Sequence, residues 1–463
     1  MGNVTIAFLG ATETVTGSRF LVTSEKSKIL IDCGMFQGIK SDREKNWQPF
    51  PVEPATIDAV ILSHAHLDHC GYLPVLARDG FKGPILATKY THDLAAVILH
   101  DSARLQTEDA KYALKKKFSK HDPPKALYET TDVEKVLKLF ENVEFRTRTQ
   151  LTEDAYLTLF PSGHILGSSF ILLEVASKKF LFTSDLGRNN HPLLSNPDAP
   201  PKDGIDVVVT ESTYGDRIHD TPPEEFAREL NAAFKRGGHV LIPAFAVDRT
   251  EVILMALRDL IDSKKIPAVP IYVDSPMALT ALNFYREAIN GESDEVRDGV
   301  HQKWHGVDPF DPGNLRQMLT SAESISLNDI SGNSIIISAS GMGTGGRVVH
   351  HLEHMLPDTK NTVILVGFQA AGTRGRSLEE GADKVKMHGS WIPVKAHVAK
   401  VNSFSVHADS DELLEWLKQT AAPSQCFVVH GEPDGQRALK ERLANELHWN
   451  AIIPKSGQVF SIS

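Results

Sequence analysis

The stretch that decides the fold is His64-Ala65-His66-Leu67-Asp68-His69, which directly follows the apolar run Ala59 to Leu62. Four of its six side chains are of metal-ligand type. The apolar run predicts a buried β-strand, so the stretch should occupy a loop at that strand's carboxyl end, where several side chains can converge. Imidazole and carboxylate groups suit Zn²⁺, and mixed sets of this kind are typical of catalytic sites. The stretch therefore predicts a catalytic metal site.

Further ligand-type residues recur where other predicted strands end. They are Asp32 after Ile29 to Ile31, His164 after Leu157 to Phe160, Asp185 after Leu181 to Thr183, and His430 after Phe427 to Val429. Taken singly, His164 could be a turn residue and Asp185 a helix cap. Their shared position at strand ends indicates that they join the metal site.

The length of 463 residues exceeds one ordinary hydrophobic core, so we expect two folded units. Short β-rich runs dominate residues 1–206 and return in residues 394–463, whereas strands alternate with helices across residues 207–393. Such alternation is typical of a parallel sheet covered by helices on both faces. The long separation of Asp185 from His430 indicates that residues 207–393 are an inserted domain, and that the two flanking segments form one domain.

Composition limits the cellular setting and the partners. The formal net charge is -10, so any phosphate-binding surface must be local. No stretch approaches about 18 uninterrupted apolar residues, so we expect no membrane span. The start of the chain lacks the basic and apolar regions of a targeting segment. Three cysteines, Cys33, Cys70 and Cys426, are too few for a disulfide framework, and we expect a cytoplasmic protein.

In their order along the chain, Asp32, the HxHxDH stretch, His164, Asp185 and His430 resemble the motifs of the metallo-β-lactamase superfamily. The resemblance implies an αββα sandwich and two Zn²⁺ ions, with Mn²⁺ as the alternative metal. It implies two ligand sets bridged by Asp185: His64, His66 and His164 in one, and Asp68, His69 and His430 in the other. Asp32 would orient ligands by hydrogen bonding. Two such metals can hold a bridging hydroxide that attacks a phosphoryl group.

Three further segments resemble the β-CASP subgroup of this superfamily, whose members cleave nucleic acids. They are Thr210-Glu211-Ser212-Thr213-Tyr214-Gly215, Phe404-Ser405-Val406-His407 and Val428-Val429-His430-Gly431-Glu432. The resemblance implies an inserted parallel-sheet α/β (β-CASP) domain and a pairing of Glu211 with His407. A paired carboxylate fixes the imidazole tautomer, so His407 would protonate the leaving 3′ oxygen. The alternative is a buried pair that only ties the two domains together.

Two glycine-rich loops in the insertion are candidates for binding phosphate. They lie at Ser338 to Arg347 and Gly367 to Arg376, after predicted strands. The predicted phosphate-binding residues are Ser340, Gly341, Gly343, Thr344, Gly345, Arg347, Arg374 and Arg376. The first loop fits the dinucleotide fingerprint G-x-G-x-x-G, but no acid begins a clear second strand about 20 residues later. The alternative is tight-turn glycines beside solvated arginines.

These features together predict a zinc-dependent hydrolase of single-stranded RNA, with Asp68, Glu211, His407 and Asp32 as its catalytic residues. Endonucleolytic and 5′ exonucleolytic cleavage both stay open, as does a homodimer. The competing interpretations are an ester or thioester hydrolase of the same fold, and a non-catalytic RNA-binding scaffold. One departure from the subgroup is Asp248, where Gly commonly precedes Arg249, so we assign Arg249 no catalytic role.

Overall fold

A computed structural model describes residues 4–116, 124–219, 224–304 and 306–463. The chain forms two compact units. The first comprises Met1–Ile218 together with Val406–Ser463, and the second comprises His219–Ser405. The second unit is therefore inserted into the first.

The first segment of the first unit is rich in short strands. Its strands are β1 (Val4–Phe8), β2 (Phe20–Thr23), β3 (Lys28–Ile31), β4 (Ala59–Ile61), β5 (Ile85–Ala87), β6 (Phe140–Asn142), β7 (Thr149–Gln150), β8 (Ala155–Pro161), β9 (Ser169–Val175), β10 (Lys178–Phe182) and β11 (Val207–Thr210). Its helices are α1 (Lys40–Lys45), α2 (Leu67–Cys70), α3 (Leu73–Arg78), α4 (Lys89–Lys116) and α5 (Thr130–Leu137). A short 3₁₀ helix spans Pro54–Thr56.

The second unit alternates helices with strands. Its strands are β12 (His239–Pro243), β13 (Ile271–Val273), β14 (Leu315–Gln317), β15 (Ser334–Ser338), β16 (Thr362–Leu365), β17 (Lys384–Met387), β18 (Ser390–Pro393) and β19 (His397–Lys400). Its helices are α6 (Glu225–Arg236), α7 (Arg249–Asp262), α8 (Pro276–Asn290), α9 (Val300–Lys303), α10 (Ser321–Ser326), α11 (Arg347–Met355) and α12 (Arg374–Glu379). Short 3₁₀ helices span Leu327–Asp329 and Asn402–Phe404.

The chain then returns to the first unit. Its last strands are β20 (Gln425–Val428), β21 (Ala451–Ile452) and β22 (Val459–Ile462), and its last helices are α13 (Ser410–Leu417) and α14 (Pro433–Glu446). One sheet has the order β22-β1-β2-β3-β4-β5-β6, and the other has the order β21-β20-β11-β10-β9-β8-β7. Both sheets are mixed, since β3 to β6 pair in parallel, as do β10, β11, β20 and β21.

The core of the first unit lies between its two sheets, as strand β10 illustrates. Phe180 and Phe182 of β10 join the cluster between the sheets, whereas Leu181 packs with residues of α13 and α14, such as Trp416 and Leu439. Successive side chains of a strand point to opposite faces, so β10 is buried on both sides. Each such side chain contributes about 1.5–3 kcal/mol by burial. This accounts for nearly unbroken apolar strands, and the predicted αββα sandwich is confirmed.

The second unit is built on a parallel sheet of the order β14-β13-β15-β12-β16-β19, and β17 and β18 form a separate hairpin. Every pairing in the larger sheet is parallel. Its central strands are buried throughout, as in Ser334–Ser338, because helices such as α11 pack against them. The predicted parallel α/β insertion is confirmed.

The boundaries between the units fall later than the sequence patterns suggested, after Ile218 and Ser405 instead of after residues 206 and 393. The physical reason at the first boundary is strand β11, which pairs with β10 and β20 and so belongs to the first unit's sheet. The strand β19, which pairs with β16, likewise extends the second unit. Among the helices described, none is long and apolar enough to cross a membrane.

Candidate metal centre

The predicted metal ligands converge in the first unit because they follow the carboxyl ends of strands in both sheets. Asp32 follows β3, His64 and His66 follow β4, His164 follows β8, Asp185 follows β10 and His430 follows β20. Asp68 and His69 lie on the short helix α2, which begins directly after His66. Several of these turns are tight: Asp32 has a φ of 56° and His430 a φ of 48°. Uncommon backbone conformations of this kind cluster at functional sites.

The first ligand set is formed by His64, His66, His164 and Asp185. Nδ1 of His66 lies 3.1 Å from Nε2 of His64 and 3.2 Å from Nε2 of His164. Oδ2 of Asp185 lies 3.5 Å from Nε2 of both His64 and His164. Ligands about 2.05 Å from a tetrahedral metal are about 3.3 Å apart. These four distances match the ligand spacing of a tetrahedral zinc site.

The second set is formed by Asp68, His69 and His430. The Nε2 atoms of His69 and His430 are 3.2 Å apart, and Oδ2 of Asp68 lies 3.5 Å from Nε2 of His430. Oδ1 of Asp185 lies 3.4 Å from Nε2 of His69. Because the other oxygen of Asp185 faces the first set, this carboxylate lies between the two.

The donor chemistry of the site fits metal ions. Burial lowers the pKa of His64 and His164 well below the ordinary value and that of His66 to about 4, so these rings are neutral at pH 7. Neutral rings whose nitrogen atoms converge can offer their lone pairs to a cation held between them. Oδ1 of Asp185 is buried and accepts no hydrogen bond within the described part of the chain. Burial alone would raise the pKa of Asp185, but surrounding histidines, His430 foremost, hold it well below its ordinary value.

Asp32 lies where it can orient the predicted ligands by hydrogen bonding. Its carboxylate accepts hydrogen bonds from the backbone N–H and the hydroxyl of Ser63, at 2.8 and 2.9 Å, and from Nδ1 of His69 at 2.8 Å. The hydroxyl of Ser63 in turn lies 3.1 Å from Nδ1 of His64. The Nδ1 atoms of His64 and His69 are thereby occupied, and Nε2 of each of these two rings is left to bind metal.

His69 is also affected electrostatically by its neighbours. Burial opposes a charge on its ring, but the carboxylates of Asp185 and Asp32 outweigh burial and raise the pKa of His69 well above its ordinary value. The site therefore attracts a cation at this ring.

Two hydroxyl residues of the site were missed by the sequence analysis. Ser63 precedes the first histidine, and Thr213 lies 3.2 Å from Nδ1 of His430 through its Oγ1 atom. Thr213 falls in the first of the three β-CASP-like segments, and Ser63 adjoins the HxHxDH stretch. Their position beside ligand motifs was the available signal.

The predicted pair of Glu211 and His407 lies beside the ligand sets in the same unit. Nδ1 of His407 lies 3.2 Å from Oε2 of Glu211, and Nε2 of His407 lies 3.9 Å from Oδ2 of Asp185. The other carboxylate oxygen of Glu211 accepts a hydrogen bond of 2.5 Å from the backbone N–H of Leu186. His407 also forms an antiparallel bridge with Gly187. Glu211 is buried, whereas the side chain of His407 is 15% exposed and can meet a substrate.

The glycine-rich loops belong to the second unit, where the arginines bind the protein itself. Arg374 donates to the carbonyl oxygens of Lys386, Gly343 and Thr344, at 2.9–3.1 Å. Nε of Arg376 donates to the carbonyl oxygen of Gln369 at 2.6 Å. These contacts support the turns of the loops and leave fewer N–H groups for phosphate than the sequence suggested.

The first glycine-rich loop is tied down in the same way. Nη1 of Arg347 donates to Asp274 at 2.7 Å and to the carbonyl oxygen of Met318 at 2.8 Å, and the hydroxyls of Ser340 and Thr344 are 2.9 Å apart. The glycines differ in whether a side chain could replace the hydrogen at that position. Gly343 has a φ of 62°, a Cβ at Gly341 would contact the ring of Phe245, and Gly345 faces open space. The loop is therefore a turn that its own hydrogen bonds hold in place.

The departure at Asp248 has a local structural explanation. Asp248 has a φ of 69°, a conformation in which Gly is the usual residue. The hydroxyl of Tyr285 donates to its buried carboxylate at 2.8 Å, and Arg249 donates to the carbonyl oxygen of Val366. The Asp side chain thus stabilises the turn, and Arg249 serves the packing of the second unit.

Comparisons with known proteins agree with this geometry. Residues 14–244 match the metallo-β-lactamase superfamily, residues 250–378 match the β-CASP domain, and residues 391–454 match the Zn-dependent metallo-hydrolase RNA specificity domain. Fold and site therefore define a metal-dependent hydrolase, and the chain belongs to the β-CASP family within the metallo-β-lactamase superfamily.

Several relatives share most of the chain. Ribonuclease TTHA0252 of Thermus thermophilus is 35% identical over 439 residues, covering 94% of this chain and 95% of the relative. An RNase J-like protein of Methanocaldococcus jannaschii is 32% identical over 464 residues, covering 99% and 100%. Transcription termination factor FttA of Pyrococcus horikoshii is 32% identical over 469 residues, covering 96% of this chain and 68% of the relative.

A solved structure shares the fold at low sequence identity. A protein of unknown function from Enterococcus faecalis V583 superimposes with a TM-score of 0.50 and is 11% identical, covering 99% of this chain and 100% of that chain. This likeness concerns the fold alone.

Proposed function

We propose that this protein is a metal-dependent ribonuclease that hydrolyses phosphodiester bonds of single-stranded RNA. The observation that carries the proposal is the largely buried set of seven candidate ligand side chains with the Glu211–His407 pair beside it. The relatives named ribonuclease and RNase J-like, which match nearly end to end, support RNA as the substrate. The match of residues 391–454 to an RNA specificity domain supports it independently.

Two zinc ions are proposed for the first unit, with manganese as the alternative. His64, His66 and His164 would hold one ion, Asp68, His69 and His430 the other, and Asp185 would contact both. When bound, such ions supply a water of lowered pKa and neutralise charge on the phosphoryl oxygens. The chain's own residues set the geometry: Asp32 and Ser63 fix the ring tautomers, and the strand ends fix the ligand positions.

His407 is proposed as the general acid. The N–H group at Nδ1 donates a hydrogen bond to Glu211, which stabilises the protonated ring and orients Nε2. Nε2 can then transfer a proton to the departing 3′ oxygen, which would otherwise leave as a poor alkoxide. General acid catalysis of this kind contributes about 10²–10⁴-fold in rate.

The experiment compares two phosphodiesters in the His407→Gln variant. RNA has a poor leaving group that needs a proton, whereas bis(p-nitrophenyl) phosphate releases a stable phenolate that does not. We expect kcat on a short unstructured RNA to fall by about 10²–10⁴-fold, and turnover of the nitrophenyl ester to change little. Metal content should stay that of the wild type.

The matched control is His397→Gln, which removes a histidine paired with Glu229 on the surface of the second unit. It should leave both reactions unchanged. Thioester hydrolysis without RNA cleavage would contradict the proposal and favour the small-substrate alternative. Labels at the 5′ and 3′ ends of the RNA, with 5′-phosphate and 5′-hydroxyl forms compared, would separate endonucleolytic from 5′ exonucleolytic cleavage.

A reducing compartment is proposed for the protein. Cys33, Cys70 and Cys426 are all free and buried. Such thiols are typical of cytoplasmic proteins.

A further inference from the structure

A second group of ligand-type side chains lies in the second unit, separate in sequence from the metal centre. It consists of His350 and Glu353 on α11 and His388 in the turn between β17 and β18, and we call it the helix–hairpin cluster. His350 and Glu353 are three residues apart, so they share one face of the helix. His351, on another face, is buried and bonded to Asp274 at 2.6 Å, which fixes the rotation of α11.

The turn between β17 and β18 has a histidine at a position where Asn is the usual residue. Met387 pairs with Ser390, so His388 and Gly389 are the two central residues of a tight hairpin, with φ values of 45° and 89°. Two positive φ values define a type I′ turn, in which Asn followed by Gly is the commonest sequence. A histidine at this position directs a metal-ligand side chain from the hairpin tip toward α11.

The three side chains are in contact. Nδ1 of His388 lies 2.8 Å from Oε2 of Glu353, and the rings of His388 and His350 stack with centroids 4.5 Å apart. One ligand atom from each of the three residues lies within 4.8 Å of the others. The side chains of His388 and Glu353 are 31% and 35% exposed, so they can rotate the short distance needed for about 3.3 Å ligand spacing.

The His388–Glu353 hydrogen bond alone does not account for the second histidine. Two imidazoles and one carboxylate, with a fourth position open to water, are the ligand set of many zinc sites. Nitrogen-rich sets of this kind exclude Ca²⁺ and Mg²⁺, which prefer oxygen. We propose that His350, Glu353 and His388 form a further divalent-metal site of the zinc type, which fastens the β17–β18 hairpin to α11.

The consequence of this clamp is local order. Arg374, at the start of α12, donates to the carbonyl oxygen of Lys386 in β17 and to Gly343 and Thr344 in the loop before α11. The hairpin is therefore already linked to both glycine-rich loops through one guanidinium group. A metal at the cluster would connect the hairpin to α11 as well. It should therefore reduce the motion of the hairpin and of both loops together.

The test is zinc content per chain in buffered zinc, measured on the full-length protein. His388→Asn suits the type I′ turn and Glu353→Gln suits a helix, so neither variant should impair folding. His354→Asn, an exposed position on the same helix, is the matched control. We expect the wild type and His354→Asn to hold one more zinc equivalent than His388→Asn and Glu353→Gln.

Hydrogen exchange supplies an independent readout. Zinc should slow exchange of the hairpin amides in the wild type and in His354→Asn, but not in the two cluster variants. Equal zinc content in all four proteins, or a loss confined to one cluster variant, would overturn the proposal. Hydrolysis of bis(p-nitrophenyl) phosphate by His388→Asn reports separately on the metal centre of the first unit, because that ester does not depend on the glycine-rich loops, so failure of one proposal leaves the other testable.

Discussion

At the scale of single residues, the site depends on which ring nitrogen of each histidine carries the proton. Asp32 accepts three hydrogen bonds, two from Ser63 and one from Nδ1 of His69. Its φ of 56° suits Asn as well as Asp, so the two can be exchanged without backbone strain. The exchange tests the charge and the hydrogen bonding of the carboxylate without changing the backbone.

We expect Asp32→Asn to lower metal affinity and RNA turnover by about 10–100-fold. The amide nitrogen of Asn would face the donors of Ser63 and His69, so His69 would be driven to keep its proton on Nε2, where the metal should bind. Zinc content during chelator titration gives the affinity. Asp79→Asn, at a side chain 40% exposed, is the control. Unchanged affinity in Asp32→Asn would show that the carboxylate does not fix the tautomer.

The residues of the two candidate ligand sets could be named from the sequence, but the hydroxyl groups that contact them could not. His164 and Asp185 carry metal-ligand groups and follow apolar runs, so a place in the site could be inferred from the strand ends. Ser63 and Thr213 are common surface residues, and only the folded structure shows that their hydroxyls face His64 and His430. Arg347 and Arg374 show the same limit, since sequence reveals a charge but not its hydrogen-bond partner.

At the scale of elements, the site requires loops to pack with backbone against backbone. The backbone N–H of Cys33 donates to the carbonyl oxygen of His69 at 2.7 Å, and this hydrogen bond joins the loop after β3 to helix α2. A Cβ at the next residue, Gly34, would lie 1.5 Å from the carbonyl oxygen of Asp68. No side chain fits there unless α2 moves, and α2 carries two ligands of the second set.

We expect Gly34→Ala to reduce the free energy of unfolding by about 1–3 kcal/mol, as overpacking does, and to weaken zinc binding. Displacement of α2 should first weaken metal binding by Asp68, His69 and His430. Gly345→Ala is the control, because its Cβ would meet open space. Denaturant unfolding and zinc content check both effects. A Gly34→Ala protein with native stability would mean that the loop and α2 separate easily.

Elements with strong apolar runs were predicted nearly residue by residue. The run Lys179 to Thr183 predicted β10, which spans Lys178–Phe182, because both faces of that strand are buried. The assignment of β11 to a unit could not be predicted. Val207–Thr210 is an apolar run that suits a buried strand in either unit. Only its pairing with β10 and β20 places it in the first unit.

At the scale of the whole molecule, the first unit contains the proposed chemistry and is discontinuous in sequence. All seven predicted ligands, with Glu211 and His407, lie within Met1–Ile218 and Val406–Ser463. The backbone N–H of Ser410 donates to the carbonyl oxygen of Arg217 at 3.1 Å. The chain therefore leaves and re-enters this unit at neighbouring points. A short linker can therefore replace the second unit without stretching the first.

We expect a protein in which a short Gly/Ser linker replaces residues 219–405 to unfold cooperatively and bind zinc through the metal centre. Its core between the two sheets is complete, because no strand of either sheet lies in the second unit. It should hydrolyse bis(p-nitrophenyl) phosphate, since that ester needs only the metal centre. RNA cleavage should fall far more, because the loops of the second unit are absent. The same linker protein with His407→Gln should then lose little further activity on the nitrophenyl ester. Full RNA cleavage by the linker protein would contradict a role of the second unit in handling RNA, and absence of a cooperative transition would contradict the independence of the first.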